Sequence, residues 1–252
     1  MARPQTISRI GIVGGGRLGG VLARRLCRFY RLDVHDRVDC VEADVAARCR
    51  ARRASFPDLC AACEVVLLCV SALEVERLLS EAPASSPLFV SLATELDHEA
   101  ATRRPGVARR RLVALKLIGQ FRALEEGLPA LFVTLHRGEA ELAVLRQIFA
   151  TIGPIEIGDD RWVNTLNRTA TAAALRLCEE FRTLFAGQNV PHDWVDAALK
   201  GVLVGTVLDD PPARDNSYTS ALLRQCPAPP GLADWLEWVS RSAQTTPAGQ
   251  AR

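Results

Sequence analysis

The chain has 252 residues, of which 48% are hydrophobic and 24% are charged, and its formal net charge at pH 7 is +2. This length leaves room for one large domain or two modest ones, and the near-neutral charge gives no support for binding to nucleic acid or to a membrane surface. Since no apolar run approaches the roughly 18 residues of a membrane span and no signal-peptide core follows Met1, we expect a cytoplasmic protein.

The first predicted element is an apolar strand that ends on glycines. Residues 9–13 form the strand, and Gly14, Gly16 and Gly19 follow it with the spacing G-x-G-x-x-G. The first glycine of this pattern permits a tight turn, the second lets the backbone approach a pyrophosphate, and the third lets the next helix pack closely on the strand. The free N–H groups and positive dipole end of that helix favour a phosphate. The stretch therefore predicts a dinucleotide site.

An acidic residue closes the second predicted strand. The strand covers residues 32–36 and ends in Asp36, about 20 positions after the glycine turn, where a carboxylate can bind the ribose hydroxyls. A carboxylate there repels a 2′-phosphate, so Asp36 favours NAD. Arg37 follows directly and could attract that phosphate, which keeps NADP open.

Strands and helices alternate through the first 160 residues. Further strands are predicted at residues 65–70, 88–93, 111–119, 130–136 and 154–158. Helices are predicted at residues 38–53, from 71 onward, at 97–104 and at 139–151. This alternation is typical of a doubly wound, mostly parallel sheet, and we expect residues 154–158 to close it.

Beyond residue 159 the hydrophobic periodicity is helical throughout. Helices are predicted at residues 162–187, 193–207, 218–225 and 232–239. The predicted fold class is therefore α/β, with a Rossmann-type dinucleotide-binding domain over residues 1–159 and a smaller all-α domain over residues 160–241. Residues 242–252 are predicted to be a disordered tail.

Cysteine and histidine do not form a recognisable site. The eight cysteines are scattered through predicted strands and helices, so we expect free thiols. Cys60 and Cys63 make a C-x-x-C pair, but no second pair or nearby histidine completes a zinc site, and no metal is predicted. His98, His136 and His192 lack a matching acid or nucleophile and are expected at the surface.

The chain resembles the two-domain oxidoreductases related to pyrroline-5-carboxylate reductase, 6-phosphogluconate dehydrogenase and ketopantoate reductase. The resemblance rests on the segments 14–19, 65–73 and 162–167, and its length and small helical domain are most similar to those of pyrroline-5-carboxylate reductase. It implies an NAD(P)-dependent reductase that transfers hydride to the C=N or C=O carbon of a small substrate, which can carry a carboxylate. It also implies a homodimer formed through the helical domain. Beyond the glycines, Asp36 and Arg37, it implies cofactor contacts from Arg17, Leu18, Val70 and Ser71.

Three residues are candidates for the catalytic step. Lys116 lies at the end of a predicted strand, where it could donate to a substrate carboxylate, carbonyl or imine, or could simply extend its charge to solvent. Asn167 could bind the substrate or the cofactor carboxamide, or could make a hydrogen bond between helices. Thr219, with Ser217 nearby, could bind substrate or cap a helix. Ser71 likewise could cap the helix that follows it or contact the cofactor.

Two departures from the related enzymes keep other functions open. Ser71 and Ala72 stand where pyrroline-5-carboxylate reductases have a lysine-proline pair. Val163 or Asn164 stands where the hydroxyacid dehydrogenases of the group have a catalytic lysine. These departures motivate the alternative of a non-catalytic NAD(P)-binding sensor or assembly protein. An S-adenosylmethionine-dependent methyltransferase is a weaker alternative, because that fold lacks the long C-terminal helices.

Overall fold

The computed structural model describes residues 7–83, 87–104, 106–108, 110–128 and 130–208. The chain divides into two compact units, with the boundary between Arg168 and Thr169. The helices predicted at 218–225 and 232–239, the predicted tail and the candidate Thr219 lie outside the described residues. Within the described residues, no helix is both long enough and apolar enough to cross a bilayer.

The first unit is built on a six-stranded parallel sheet. In spatial order its strands are β3 (Arg52–Arg53), β2 (Arg31–His35), β1 (Arg9–Val13), β4 (Val65–Leu68), β5 (Leu88–Ser91) and β6 (Leu112–Ala114). The direction of winding reverses between β1 and β4, which is the topological switch point of a Rossmann-type sheet. The predicted fold class is confirmed.

A second sheet of three strands follows the first. It consists of β7 (Lys116–Ile118), β8 (Leu131–Thr134) and β9 (Ile155–Ile157), with β7 antiparallel to β8 and β8 parallel to β9. Two expectations are corrected here. Residues 111–119 are not one strand, because the chain changes sheets at Leu115, whose N–H still donates to the Ser91 carbonyl at 2.9 Å. Residues 154–158 join the second sheet and do not close the first.

In the described part of the first unit, the following helices accompany the strands before a long helix begins at Arg161. They are α1 (Arg17–Leu26), α2 (Asp39–Cys49), α3 (Phe56–Ala62), α4 (Ala72–Glu81), α5 (His98–Thr102), α6 (Phe121–Glu125) and α7 (Glu139–Phe149). The helix predicted over residues 38–53 ends early, since Arg50 adopts a left-handed conformation with φ +51° and β3 follows. Ser55 and Asp97 cap α3 and α5 by accepting hydrogen bonds from backbone N–H groups of the first turn.

The core lies on both faces of the six-stranded sheet. One apolar cluster packs α1 and α7 against one face, and the other packs α3 and α4 against the opposite face. Phe132 and Phe149 are fully buried with their ring centroids 4.6 Å apart. Burial on both faces explains why strands such as β4 are apolar without interruption.

The second unit is helical over its described residues. The helix α8 (Arg161–Phe185) begins before the unit boundary, and α9 (His192–Ala197), a π-helical segment (Ala198–Leu203) and α10 (Val204–Leu208) follow. The helix predicted over residues 193–207 is thus interrupted by a π-helical stretch. Several large apolar side chains of this unit are exposed: Leu175, Trp194, Val202, Val204, Val207 and Leu208.

Candidate functional site

The glycine turn lies at the switch point, between β1 and α1. Gly14 has φ +92°, and a Cβ atom there would lie 2.6 Å from the carbonyl oxygen of Cys69, which follows β4. The Gly14 N–H donates to the carbonyl oxygen of His35 at 2.9 Å. The turn is therefore held between the ends of β2 and β4, and only glycine fits its first position.

Gly19 and Gly16 have opposite surroundings. A Cβ at Gly19 would lie 1.8 Å from the carbonyl oxygen of Gly14, so this residue lets α1 pack directly on the turn. A Cβ at Gly16 would meet no atom within 4 Å. Gly16 precedes α1, and the first N–H groups of a helix have no partner within it. The space beside Gly16 can therefore accept an anion held by backbone N–H groups.

The side chains at the start of α1 differ in exposure. Leu18 is half-buried and packs on the core, whereas Arg17 is exposed. The Arg17 guanidinium carbon lies 5.3 Å from the ring centroid of Phe121, a cation–π contact. This contact holds the Arg17 side chain beside the first residue of α6.

Asp36 is bound to the glycine turn itself. One of its carboxylate oxygens accepts from the Gly15 N–H at 2.7 Å, and the other accepts from the Val38 N–H at 2.8 Å. The Asp36 N–H in turn donates to Glu42 at 3.0 Å. Each Asp36 oxygen has a second lone pair, so the carboxylate can still accept a hydrogen bond from a hydroxyl group of a ligand. The next residue, Arg37, is exposed.

Glu42 adds a second carboxylate to this end of the sheet. It is buried, and burial alone would raise the pKa of its carboxyl group. Hydrogen bonds from Arg53 and from the Asp36 N–H outweigh that effect and leave the pKa of Glu42 below its usual value. Glu42 therefore stays ionised beside Asp36 and is paired with the Arg53 guanidinium at 2.8 Å.

The segment after β4 completes the switch point. Val70 is half-buried, and its Cγ1 would lie 2.8 Å from a Cβ at Gly14, which places Val70 against the turn. The Ser71 hydroxyl oxygen accepts from the Glu74 N–H at 3.4 Å and caps α4. Of the two roles considered for Ser71, the structure shows the capping role.

A cleft of about 910 Å³ lies within the first unit. Its walls come from the segment after β5, the start of β7 and the segments after β8 and β9. The lining residues are Thr94, Glu95, Leu96, Asp97, His98, Glu99, Lys116, Leu135, Arg137, Gly158, Asp159, Asp160, Arg161 and Asn164. A cleft at the carboxyl ends of strands is where open α/β sheets bind ligands.

Lys116 and Asp160 form an ion pair in the wall of this cleft. The Lys116 Nζ lies 3.3 Å from the Asp160 Oδ2, and the two side chains are only 8% and 5% exposed. Because β7 runs antiparallel to β8, its first residue reaches the edge where β8 and β9 end. Lys116 is therefore at the strand edge where the sequence placed it, but its charge is paired and buried.

Asp159 and Arg161 form a second, exposed pair at the cleft. The Arg161 guanidinium donates to both Asp159 oxygens, and the pKa of Asp159 falls to about 2 as a result. Lys116 contributes to this shift through its charge. Asp159 is thus ionised at any physiological pH, next to the buried pair.

Asn167 is fixed by the backbone around β7. Its Nδ2 group donates to the Leu117 carbonyl at 2.8 Å, and its Oδ1 atom accepts from the Gly119 N–H at 3.3 Å. Both ends of the amide therefore tie α8 to β7. The structure shows an anchoring role for Asn167, which differs from the hydrogen bond between helices that was considered for it.

Several cleft residues were not identified from the sequence. Asp160 entered only as a neighbour of the predicted domain boundary, and His98 was expected at the surface. His98 is half-buried, lines the cleft and lies 3.0 Å through its Nε2 from the Leu112 carbonyl oxygen. Sequence position could have identified Asp159 and Asp160. They directly follow the predicted strand 154–158, and ligands bind beyond the carboxyl ends of such strands.

The cysteines of the described residues are free thiols. Burial raises the pKa of Cys60 to about 11, and burial together with the nearby Asp33 raises that of Cys63 to about 12. Both thiols of the C-x-x-C pair are therefore protonated and unreactive at neutral pH. Among the residues that the structure describes, no cluster of three metal-binding side chains is present.

Comparison with known proteins identifies the fold. No protein-family model matches the chain, and no curated protein matches its sequence. Solved structures do match over nearly the whole chain. The chain has the fold of pyrroline-5-carboxylate reductases and imine reductases.

Three of these structures illustrate the similarity. The 1-pyrroline-5-carboxylate reductase of Streptococcus pyogenes matches with a TM-score of 0.67 and 16% identity, over 94% of this chain and 92% of its own. The pyrroline carboxylate reductase of Plasmodium falciparum, solved with NADP bound, gives 0.65 and 13%, over 95% and 91%. An imine reductase from a Pseudomonas species gives 0.63 and 16%, over 95% and 94%.

Proposed function

We propose that this protein is an NAD(P)-dependent reductase that transfers hydride to the C=N or C=O carbon of a small substrate. The observation that carries the proposal is the space beside Gly16, where a Cβ would meet nothing within 4 Å at the start of α1. Backbone N–H groups of the turn and of Arg17 and Leu18 would hold the pyrophosphate there. The shared fold with reductases, one of them solved with NADP, supports the same function.

The other predicted cofactor contacts fit around that anchor. Asp36 retains free lone pairs for the ribose hydroxyls, Val70 packs against the turn on the β4 side, and Ser71 follows Val70 as the cap of α4. A reduced nicotinamide group supplies the hydride when the cofactor is bound. The cleft beyond β5 is the substrate site in this proposal, because it lies at the same edge of the sheet as the glycine turn.

We infer a preference for NAD over NADP. The Asp36 carboxylate at the end of β2 disfavours a 2′-phosphate, whereas the charge of its neighbour Glu42 is balanced by Arg53. Arg37 is the exposed cation that would work against this preference. Titration of the purified protein with NADH and with NADPH, followed by nicotinamide fluorescence, decides between them. Tighter binding of NADPH would show that Arg37 outweighs Asp36.

Substitution of Gly16 by tryptophan tests the nucleotide site. We expect Gly16→Trp to abolish NADH and NADPH binding, with an affinity loss of at least about 100-fold, because the indole would fill the space for the pyrophosphate. Gly16→Ala is the matched control, since one methyl group meets no neighbour. Both variants should keep the wild-type melting temperature. Unchanged nucleotide binding in Gly16→Trp would contradict the site.

Turnover then separates a reductase from a non-catalytic binding protein. The probes are 1-pyrroline-5-carboxylate, 1-pyrroline, cyclohexanone and pyruvate, each followed by loss of reduced nicotinamide absorbance. Turnover of any probe supports the reductase. Nucleotide binding without turnover of any imine or carbonyl would favour the sensor. Thr219 stays a prediction, as it lies outside the described residues, and the anchoring contacts of Asn167 count against a direct role in substrate binding.

We also propose that the helical unit forms a homodimer. Its described residues include large apolar side chains that are highly exposed: Leu175 at 67%, Trp194 at 71% and Val202 at 70%. Exposed apolar groups of this size favour association with another surface. Sedimentation equilibrium should give twice the chain mass of 27.4 kDa, and Trp194→Glu should weaken the dimer. A monomeric wild-type protein at micromolar concentration would exclude it.

A further inference from the structure

We propose that Lys116 is the proton donor of the reduction, that Asp160 is its positioning residue, and that the substrate presents a heteroatom that is uncharged when hydride arrives. This inference rests on the proposed reductase function. It assigns a role to Asp160 and restricts the substrate class to a carbonyl oxygen or a neutral imine nitrogen, as opposed to an iminium cation.

The topology brings the two side chains together at the cleft. Lys116 follows β6 by two residues, so it lies just beyond the carboxyl end of the six-stranded sheet, and it also begins β7. Asp160 lies three residues after β9. Because β7 and β9 run in opposite directions on either side of β8, the carboxyl end of β9 lies at the same edge of the sheet as the start of β7. The arrangement of the two sheets therefore places Lys116 and Asp160 side by side in the wall of the cleft.

Burial of this pair has no evident structural benefit. Desolvation of both ions costs free energy, and an apolar pair of similar size in such a place is often as stable or more so. The chain has only two lysines, and the other, Lys200, is 78% exposed and pairs with Asp196 at 3.6 Å. A buried ammonium group in the wall of a cleft is instead suited to donate to a ligand there.

Reduction of a carbonyl group by hydride requires a proton donor beside the carbonyl oxygen. When hydride adds to a carbonyl carbon, the π pair of the C=O bond moves to oxygen, and that oxygen must take up a proton. Lys116 Nζ gives this proton and becomes a neutral amine beside the Asp160 carboxylate, and water later returns the proton. The carbonyl is reduced to an alcohol and the nicotinamide cofactor is oxidised. Asp160 orients the Lys116 ammonium group through their contact of 3.3 Å.

The charge of the donor restricts the substrate. An ammonium group stabilises a heteroatom that becomes negative and repels one that is already positive. Other charged groups of the cleft wall are more exposed: Asp159 pairs with Arg161, Glu99 pairs with Arg103, and Arg137 is exposed. His98 lies against the Leu112 carbonyl. Of the cleft cations Lys116, Arg137 and Arg161, Lys116 is the buried one.

Two probe substrates separate proton donation from a structural role. Cyclohexanone needs a proton after hydride addition, whereas the N-methyl-1-pyrrolinium cation accepts hydride and needs none. We expect Lys116→Met to lower cyclohexanone turnover by at least about 100-fold and to leave pyrrolinium turnover unchanged or raised, with the affinity for reduced cofactor unaltered. Asp160→Asn should lower the ketone kcat by about tenfold without affecting pyrrolinium reduction, and Asp160→Glu should recover most of the loss.

A double variant keeps the test decisive if single variants fold poorly. Lys116→Met with Asp160→Asn removes both buried charges, and it should fold yet stay inactive on cyclohexanone. Recovery of ketone turnover in the double variant, or an equal loss for both probes, would show that the pair is structural. Lys200→Met is the matched control and should behave as wild type. Turnover of another imine or carbonyl without reduction of either probe overturns this inference alone. Absence of nucleotide binding, or nucleotide binding without any turnover, overturns the proposed function as well.

Discussion

Replacement of Gly19 by alanine is expected to destabilise the first unit by roughly 3 kcal/mol or more, because the new methyl group would lie 1.8 Å from the carbonyl oxygen of Gly14. That oxygen belongs to the backbone of the turn, and Gly14 is itself confined at φ +92° by the carbonyl of Cys69. Neither side can move without separating α1 from β1. Urea denaturation followed by circular dichroism measures the loss in the free energy of unfolding.

Gly16→Ala is the control for this experiment within the same turn. Its methyl group would meet no atom within 4 Å, so we expect a change below about 0.5 kcal/mol. The two glycines therefore separate two functions of the motif, since Gly19 maintains packing and Gly16 leaves room for a ligand. Equal stability of Gly19→Ala and Gly16→Ala would refute this division.

Substitution of Lys116 by methionine is expected to lower the free energy of unfolding by about 3 to 5 kcal/mol, because it leaves the Asp160 carboxylate buried without a counterion. Methionine has nearly the length of lysine, so the packing of the side-chain stem is retained. Urea denaturation again provides the measurement. Asp160→Asn should be destabilising for the same reason, since it leaves the ammonium group unpaired.

The double variant Lys116→Met with Asp160→Asn should regain about 2 kcal/mol or more relative to Lys116→Met alone, because no uncompensated charge remains buried. The exposed pair provides the comparison: Lys200→Met removes a contact whose lysine is 78% exposed and should change stability by less than about 1 kcal/mol. Additive losses in the double variant would mean that the two charges are not coupled.

Much of the fold could be predicted because its signals are local. The strand before Gly14, the helix after it and Asp36 about 20 residues later lie in one short segment, and parallel strands buried on both faces have continuous apolar sequences. The parallel arrangement of strands β1 to β6 followed from that fold class. The antiparallel β7 did not, because an apolar run over residues 111–119 fits one long strand as well as two short strands in different sheets.

The sequence predicted some residues of the candidate site but not the contacts that they make. Lys116 and Asn167 were both named from the sequence, but the sequence does not show that Asn167 binds the backbone of β7 or that Lys116 faces Asp160. Lys116 and Asp160 are separated by more than 40 positions, and no periodic pattern relates residues at such a distance. His98 was expected at the surface, but it is half-buried because α5 packs beside β6, where its ring lies 3.0 Å from the Leu112 carbonyl oxygen.

The sequence by itself determined the glycine turn of this protein, since the conformation of Gly14 and the close packing of Gly19 are requirements of one short segment. The tertiary structure decided the chemistry of the cleft. Only the change of sheet at Leu115 and the reversed direction of β7 bring the Lys116 ammonium group to the end of β9, within 3.3 Å of Asp160. Hydrophobic periodicity records which residues are buried, whereas the partners of a buried charge depend on how distant strands pair.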